Sequence, residues 1–150
     1  MSCALDDPGS SPDWCTAYRR CGLPATVRDG LVEVITDDWT SVLVLPDRLA
    51  RRVFETTATG PVLVRPRNGV LPPRWRFFTW IDKDPSYEVV YRLIRVGGFI
   101  ADRGTPIVLP TNLRSRIYWA RLPEHDLPAL SALIATALDA ATRPSGDTER

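Results

Sequence analysis

The sequence predicts an α+β (mixed α/β) fold: a single domain with a central, mostly antiparallel sheet packed with about four helices. Three observations carry that expectation. Two hairpin signals, Asp29-Gly30 and Asn68-Gly69, interrupt β-branched runs. The run "WTSVLVLP" at 39–46 is apolar without alternation, as in a central strand covered on both faces. Stripes at helical spacing, such as Trp14, Ala17, Tyr18 and Cys21, fall between the strand-like runs. Interspersed helices and strands with short connections give one layered domain, with all strands expected in one sheet.

Residues 1–10 read as a disordered leader. Ser11 reads as the cap of a first helix, with Pro12 at its first position, Asp13 in its first turn and Gly22 closing it. "LPATVRDGLVEVIT" is a hairpin, and "WTSVLVLP" the buried strand. Asp47 is placed to cap a second helix from Arg48 to about Thr57, with Leu49, Val53 and Phe54 inward. "GPVLVRP" and "RWRFFTWI" are strands, and "DKDPS" a loop. Ser86 opens a third helix, which turns Val89, Val90, Leu93 and Ile94 to helical spacing and stops at Gly97-Gly98. "TPIVLP" and "RIYWAR" are two further strands, and a last helix runs from about Pro128 to Thr142. The domain is therefore expected over 11–142, with a disordered tail at 143–150.

The chain has 150 residues, enough for a core without staples, and 25% of them are charged. Its three cysteines, Cys3, Cys15 and Cys21, form no CxxC pair, which argues against a disulfide framework and a zinc site. The N-terminus carries acids and no basic n-region, and no apolar run reaches membrane-spanning length. A cytoplasmic protein with no membrane partner is expected. Charge is unevenly spread. Residues 1–59 hold six basic and nine acidic side chains, 60–121 eleven and four, and 122–150 two and five. A basic middle of this kind attracts phosphates or pairs with the acidic flanks.

"RWRFFTW" at 74–80 sets two arginines among four aromatics. On a strand Trp75, Phe77 and Thr79 point one way and Arg74, Arg76, Phe78 and Trp80 the other. One reading packs the strand into a core, with the arginine stems over Phe78 and Trp80. The other makes the arginine face a platform for phosphates or bases. Arg74, Trp75, Arg76, Arg103, Arg114 and Arg116 are the candidates for nucleic-acid or phosphate binding. For metal, Asp37, Asp38 and Asp82 are weak candidates. Asp37-Asp38 reads as a solvated turn, and Asp82 with Asp84 falls in a loop beside a helix start. His125, the sole histidine, sits in the proline-bounded connector "LPEHDLP" and reads as a surface turn. Neither GxxxxGK[ST] nor GxGxxG occurs, and no hydrolase triad or metal cluster can be assembled. No catalytic residue is assigned.

The order of motifs resembles one family. "AYRRCGLPATV" is similar to the opening of bifunctional DNA primase–polymerase N-terminal domains, where a helix leads into an "aaxxGwpVfP"-like strand. "VLVLP", "TGPVLVRP", "RWRFF", a helix, "RGTPIVLPT" and "RIYWARLP" follow in that family's order. "GTPIVLPTN" looks like its "GxYVxxPPS" segment, and "IYWARLP" like its "YxWxxPP". The likeness covers most of 14–140 and is best to the short, diverged, stand-alone form. It implies an archaeo-eukaryotic primase-type fold with an RRM-like sheet. In that family paired carboxylates hold two divalent metals and a histidine contacts phosphate. This chain has Ser41, Val42, Leu43 and Val44 in place of the Asp-x-Asp strand, and Arg74-Trp75-Arg76 in place of "GxH". Ser and Val supply no charged oxygen for a metal. The expectation is a primase–polymerase-like domain without catalysis that binds nucleic acid, nucleotide or a protein partner and needs no cofactor. Two alternatives stand beside it: a weakly active nucleotidyltransferase using Mg²⁺ or Mn²⁺ at a rearranged site, and a structural interaction module.

Overall fold

Two antiparallel sheets and four helices build the chain, as described by a computed structural model over residues 9–57, 59–111, 116–123 and 126–143. In chain order the elements are α1 (Ser11–Arg20), β1 (Ala25–Arg28), β2 (Leu31–Ile35), β3 (Thr40–Pro46), α2 (Asp47–Thr56), β4 (Val62–Arg65) and β5 (Arg74–Trp80). Then come α3 (Tyr87–Arg95), β6 (Phe99–Ile100), β7 (Pro106–Val108), β8 (Tyr118–Arg121) and α4 (Leu130–Thr142). The larger sheet has the order β6-β3-β5-β4-β8, and the smaller β1-β2-β7. Mixed α/β content, a mostly antiparallel sheet and four helices are as the sequence predicts. The expectation of one sheet is corrected: the β1–β2 hairpin pairs with β7 and forms a separate layer.

That second layer explains the missing alternation in β3. Both faces of the five-stranded sheet are covered. Leu43, Leu45, Val62, Val64, Trp75 and Phe77 pack under α2, α4 and Leu93 of α3. Val42, Val44, Leu63 and Phe78 pack against α1 and the small sheet, through Trp14, Tyr18, Val32, Val34 and Ile107. Side chains alternate between two apolar layers, so a strand buried on both sides reads as a continuous apolar run. β3 lies between β5 and β6, and the five residues from Ser41 to Leu45 are all buried.

Local signals placed most boundaries within a residue or two. The cap of α1 is Ser10 rather than Ser11: its hydroxyl accepts from the Asp13 amide while the Asp13 carboxylate takes the Ser10 amide, a reciprocal capping box. Asp47 does not cap α2. It is the first helical residue, and its Oδ1 instead accepts from Trp75 Nε1 at 2.8 Å and Arg51 Nε at 3.2 Å. Ser86 caps α3 as expected. The α4 start lacks a side-chain cap of its own, and Asp82 serves from the loop after β5, accepting from the Ser131 amide at 3.0 Å and from its hydroxyl. The two-residue strand β6 has no sequence signal of its own. Cys21 is disulfide-bonded, which the odd cysteine count argued against, while Cys15 is free and buried. Among the described residues no helix is long and apolar enough to cross a membrane.

Candidate nucleic-acid interface

The strand register brings three arginines together at one end of the large sheet. Arg65 on β4 stands directly opposite Arg74 on β5, and Arg76 lies between Leu63 and Val44 one step further in. All three project to the face shared with Val44 and Leu63, and each is half-buried. Like charges placed opposite one another on adjacent strands destabilise a sheet. The usual remedy is a carboxylate, and among the described residues none pairs with these arginines. From Gly60 to Ile81, and again from Gly104 to Pro123, the chain has no Asp or Glu. The ion pairs among the described residues join Arg28 to Glu33, Arg51 to Asp47, Arg103 to Asp38 and Asp84, and Arg143 to Asp139. None of them includes Arg65, Arg74 or Arg76.

The contacts these arginines do make leave their charge uncompensated. Arg65 donates one guanidinium hydrogen bond to the Pro72 carbonyl at 3.3 Å. The Arg74 guanidinium lies over the Phe99 ring, 5.7 Å from its centroid. The Arg76 guanidinium makes no side-chain hydrogen bond among the described residues. Burial, and secondarily the positive charge of Arg65, hold its pKa below the ordinary arginine value. Guanidiniums in this state bind phosphate oxygens well, because an anion supplies the missing charge and the hydrogen bonds at once. Phe99, 43% exposed, adds an aromatic surface of the kind on which bases stack.

Of the residues singled out from sequence, Arg74 and Arg76 fall in this patch. Continuing the β4–β8 register two residues beyond Val64↔Tyr118 brings exposed Arg116 to the same end of the sheet. Arg114 and His125 lie outside the described residues. Trp75 is a correction: it faces α2, is buried, and spends its indole N–H on Asp47, so it offers no surface to a base. Arg103 is also set apart. It follows β6 toward the opposite end of β3 and is held between Asp38 at 3.0 Å and Asp84 at 2.8 Å. Arg121 is a structural tie: it donates to the Phe54 and Thr57 carbonyls and stacks on Phe54 at 4.5 Å. Sequence reasoning missed Arg65 and Phe99. The signal for Arg65 was its place at the end of "GPVLVRP", but only the register sets it against Arg74.

The acidic candidates are occupied with structural work. Asp37 and Asp102 do line one cleft of about 440 Å³, together with Asp84 and Arg103. Asp37 Oδ1, however, accepts the Trp39 and Thr40 amides, both at 2.8 Å, forming the turn into β3. Asp38 and Asp84 neutralise Arg103. Asp82 holds the α4 start, and the hydrogen bonds from Ser131 keep its carboxyl below the usual range. Among the described residues no three His, Cys, Asp or Glu side chains converge as a metal site. Ser41 on β3 hydrogen-bonds Thr79 at 2.6 Å inside the core. Comparison with family models, with curated proteins and with solved structures finds no match to this chain.

Proposed function

We propose that the protein is a diverged primase–polymerase-like domain that binds single-stranded nucleic acid through its phosphates and carries out no nucleotidyl transfer. The observation that carries this reading is the cluster of Arg65, Arg74 and Arg76 on one sheet face, none of them ion-paired to a carboxylate among the described residues. A fold that only needed a strand here would place aliphatic or oppositely charged pairs across β4 and β5. Phe99 beside Arg74 favours a strand with unstacked bases over a duplex, whose bases are not free to stack on a side chain. A cytoplasmic location fits that ligand. Catalysis is excluded from the proposal because Ser41, Val42 and Val44 are all buried and offer no charged oxygen at the family's metal-binding strand.

The test is fluorescence anisotropy of a labelled single-stranded oligonucleotide at low salt, beside a duplex of the same sequence and free ATP. The expected dissociation constant lies at about 10⁻⁴–10⁻⁶ M for the single strand, the range of contacts made chiefly to phosphates. Arg74→Ala/Arg76→Ala removes most of that binding. Equal binding by the double variant, or preference for the duplex, would contradict the reading. Primer synthesis with Mg²⁺ or Mn²⁺ that disappears in Asp37→Ala/Asp102→Ala would move the assignment to a nucleotidyltransferase.

A further inference from the structure

We infer that the protein self-associates through α3, two copies packing this helix antiparallel about a twofold axis. α3 is unusual among the helices. It buries only Leu93, with Val89 and Val96 partly packed on the core. Its opposite side carries a second apolar stripe, Tyr87, Val90, Tyr91 and Ile94, at i, i+3, i+4 and i+7. Tyr87 is 95% exposed, Tyr91 60% and Ile94 57%. Val90 and Ile94 edge the cleft beside Ile81 and Phe99, while Tyr87 and Tyr91 stand clear of it, so among the described residues the outer side of this stripe has nothing packed on it.

The stripe matches itself when run backwards. In an antiparallel pair Tyr87 comes level with Ile94 of the second copy, and Val90 with Tyr91, so a large ring meets an aliphatic side chain at each level. The charged flank matches too. Glu88 lies in the first turn, and Arg92 and Arg95 in the last. In an antiparallel twofold pair like flanks meet, which puts Glu88 between Arg92 and Arg95 of the second copy. In a parallel twofold pair opposite flanks meet, so this charged flank would face no complementary charge. The helix dipoles also run head to tail in the antiparallel arrangement. Arg95 already lies over the Tyr91 ring at 5.8 Å, extending the flat contact surface. At about 150–250 Å² per aromatic side chain, the stripe offers roughly 500 Å² per copy. The pair therefore buries about 1,000 Å², the lower bound for a specific interface, and the dimer is weak and reversible.

Sedimentation velocity without nucleic acid, from about 1 μM to about 1 mM, tests this directly. The expected result is a monomer that converts to a dimer across that range. Ile94→Asp weakens the dimer at least tenfold while leaving the melting temperature unchanged, since the side chain is exposed. Glu88→Arg weakens it as well, by making the flank wholly positive. A Glu88→Arg copy mixed with an Arg92→Glu/Arg95→Glu copy restores association as a heterodimer. A protein monomeric throughout, a dimer indifferent to Ile94→Asp, or charge variants that do not select each other would each overturn the inference. Arg74 and Arg76 are untouched in these variants, so oligonucleotide binding reports separately on the other proposal.

Discussion

Replacing Arg76 with Met should make the protein more stable. Met keeps the length of the side chain and its packing against Val44 and Leu63, and removes the charge. In the native protein that charge sits diagonally across from Arg65 and two residues from Arg74 on the same strand. Diagonal neighbours in a sheet stand about 7–8 Å apart. At that distance Coulomb repulsion is about 0.6 kcal/mol in water and about 2 kcal/mol at an effective dielectric of 20. A half-buried group lies between these limits, so the relief is about 1 kcal/mol, or about 2–4 °C in Tm for a domain of this size. Thermal melting followed by circular dichroism at low salt reads the shift, and raising the salt shrinks it by screening. Oligonucleotide binding measured on the same sample should fall. Stability and binding therefore move in opposite directions. A Tm that drops by several degrees would refute the reasoning, because it would mean that the fold satisfies the Arg76 charge.

Leu43→Asp places an unpaired carboxylate where β3 is wholly buried, at a cost of several kcal/mol, and should give no cooperative melt; a cooperatively melting variant would remove β3 from the core. Burial raises the Tyr18 hydroxyl from 10.0 to about 12, against a smaller lowering by Trp119. Its folded pKa lies above the unfolded one, so the stability it contributes is complete below pH 10 and lost as pH rises toward 12. Urea midpoints should fall across that interval, and less steeply in Tyr18→Phe. Asp82 runs the other way: its depressed pKa makes its capping of α4 effective above its ordinary value of 3.8 and lost as pH falls further. Asp82→Ala should lower Tm at neutral pH and leave it unchanged in strong acid; an equal loss at both would assign Asp82 a role that does not depend on its charge.

Most elements were legible from local chemistry. Asp29-Gly30 turns β1 into β2 with both residues at positive φ, 53° and 79°, as a hairpin of that type requires. Ser86 and Gly97 bound α3 for similarly local reasons. What the sequence concealed depends on pairing at a distance. Nothing near "LVEVI" says that its partner is "PIV" some seventy residues on, so the second sheet was invisible and β3 only hinted at it. β6 is two residues long and exists because Gly98 lets it approach β3: a Cβ there would come within 2.8 Å of Leu45 and 3.2 Å of the Val44 carbonyl. The site divided in the same way. The alternation of "RWRFFTW" set Arg74 and Arg76 on one face and Trp75 on the other. Whether that face was open, and that Arg65 and Phe99 belonged to it, depended on β4 and β6. The acidic candidates were read by proximity in sequence, and their hydrogen bonds to Trp39, Arg103 and Ser131 assigned them to turns and caps.

The salt dependence of oligonucleotide binding tests the central claim most directly. The logarithm of the binding constant for a single strand, plotted against the logarithm of salt concentration, should fall with a slope of about −0.7 per phosphate neutralised. Three arginines acting on phosphates predict a slope of about −2 for the native protein and close to zero for Arg65→Ala/Arg74→Ala/Arg76→Ala. A native slope near zero, or one that the triple variant retains, would show that these arginines do not hold a nucleic-acid backbone and that the patch is not its binding site.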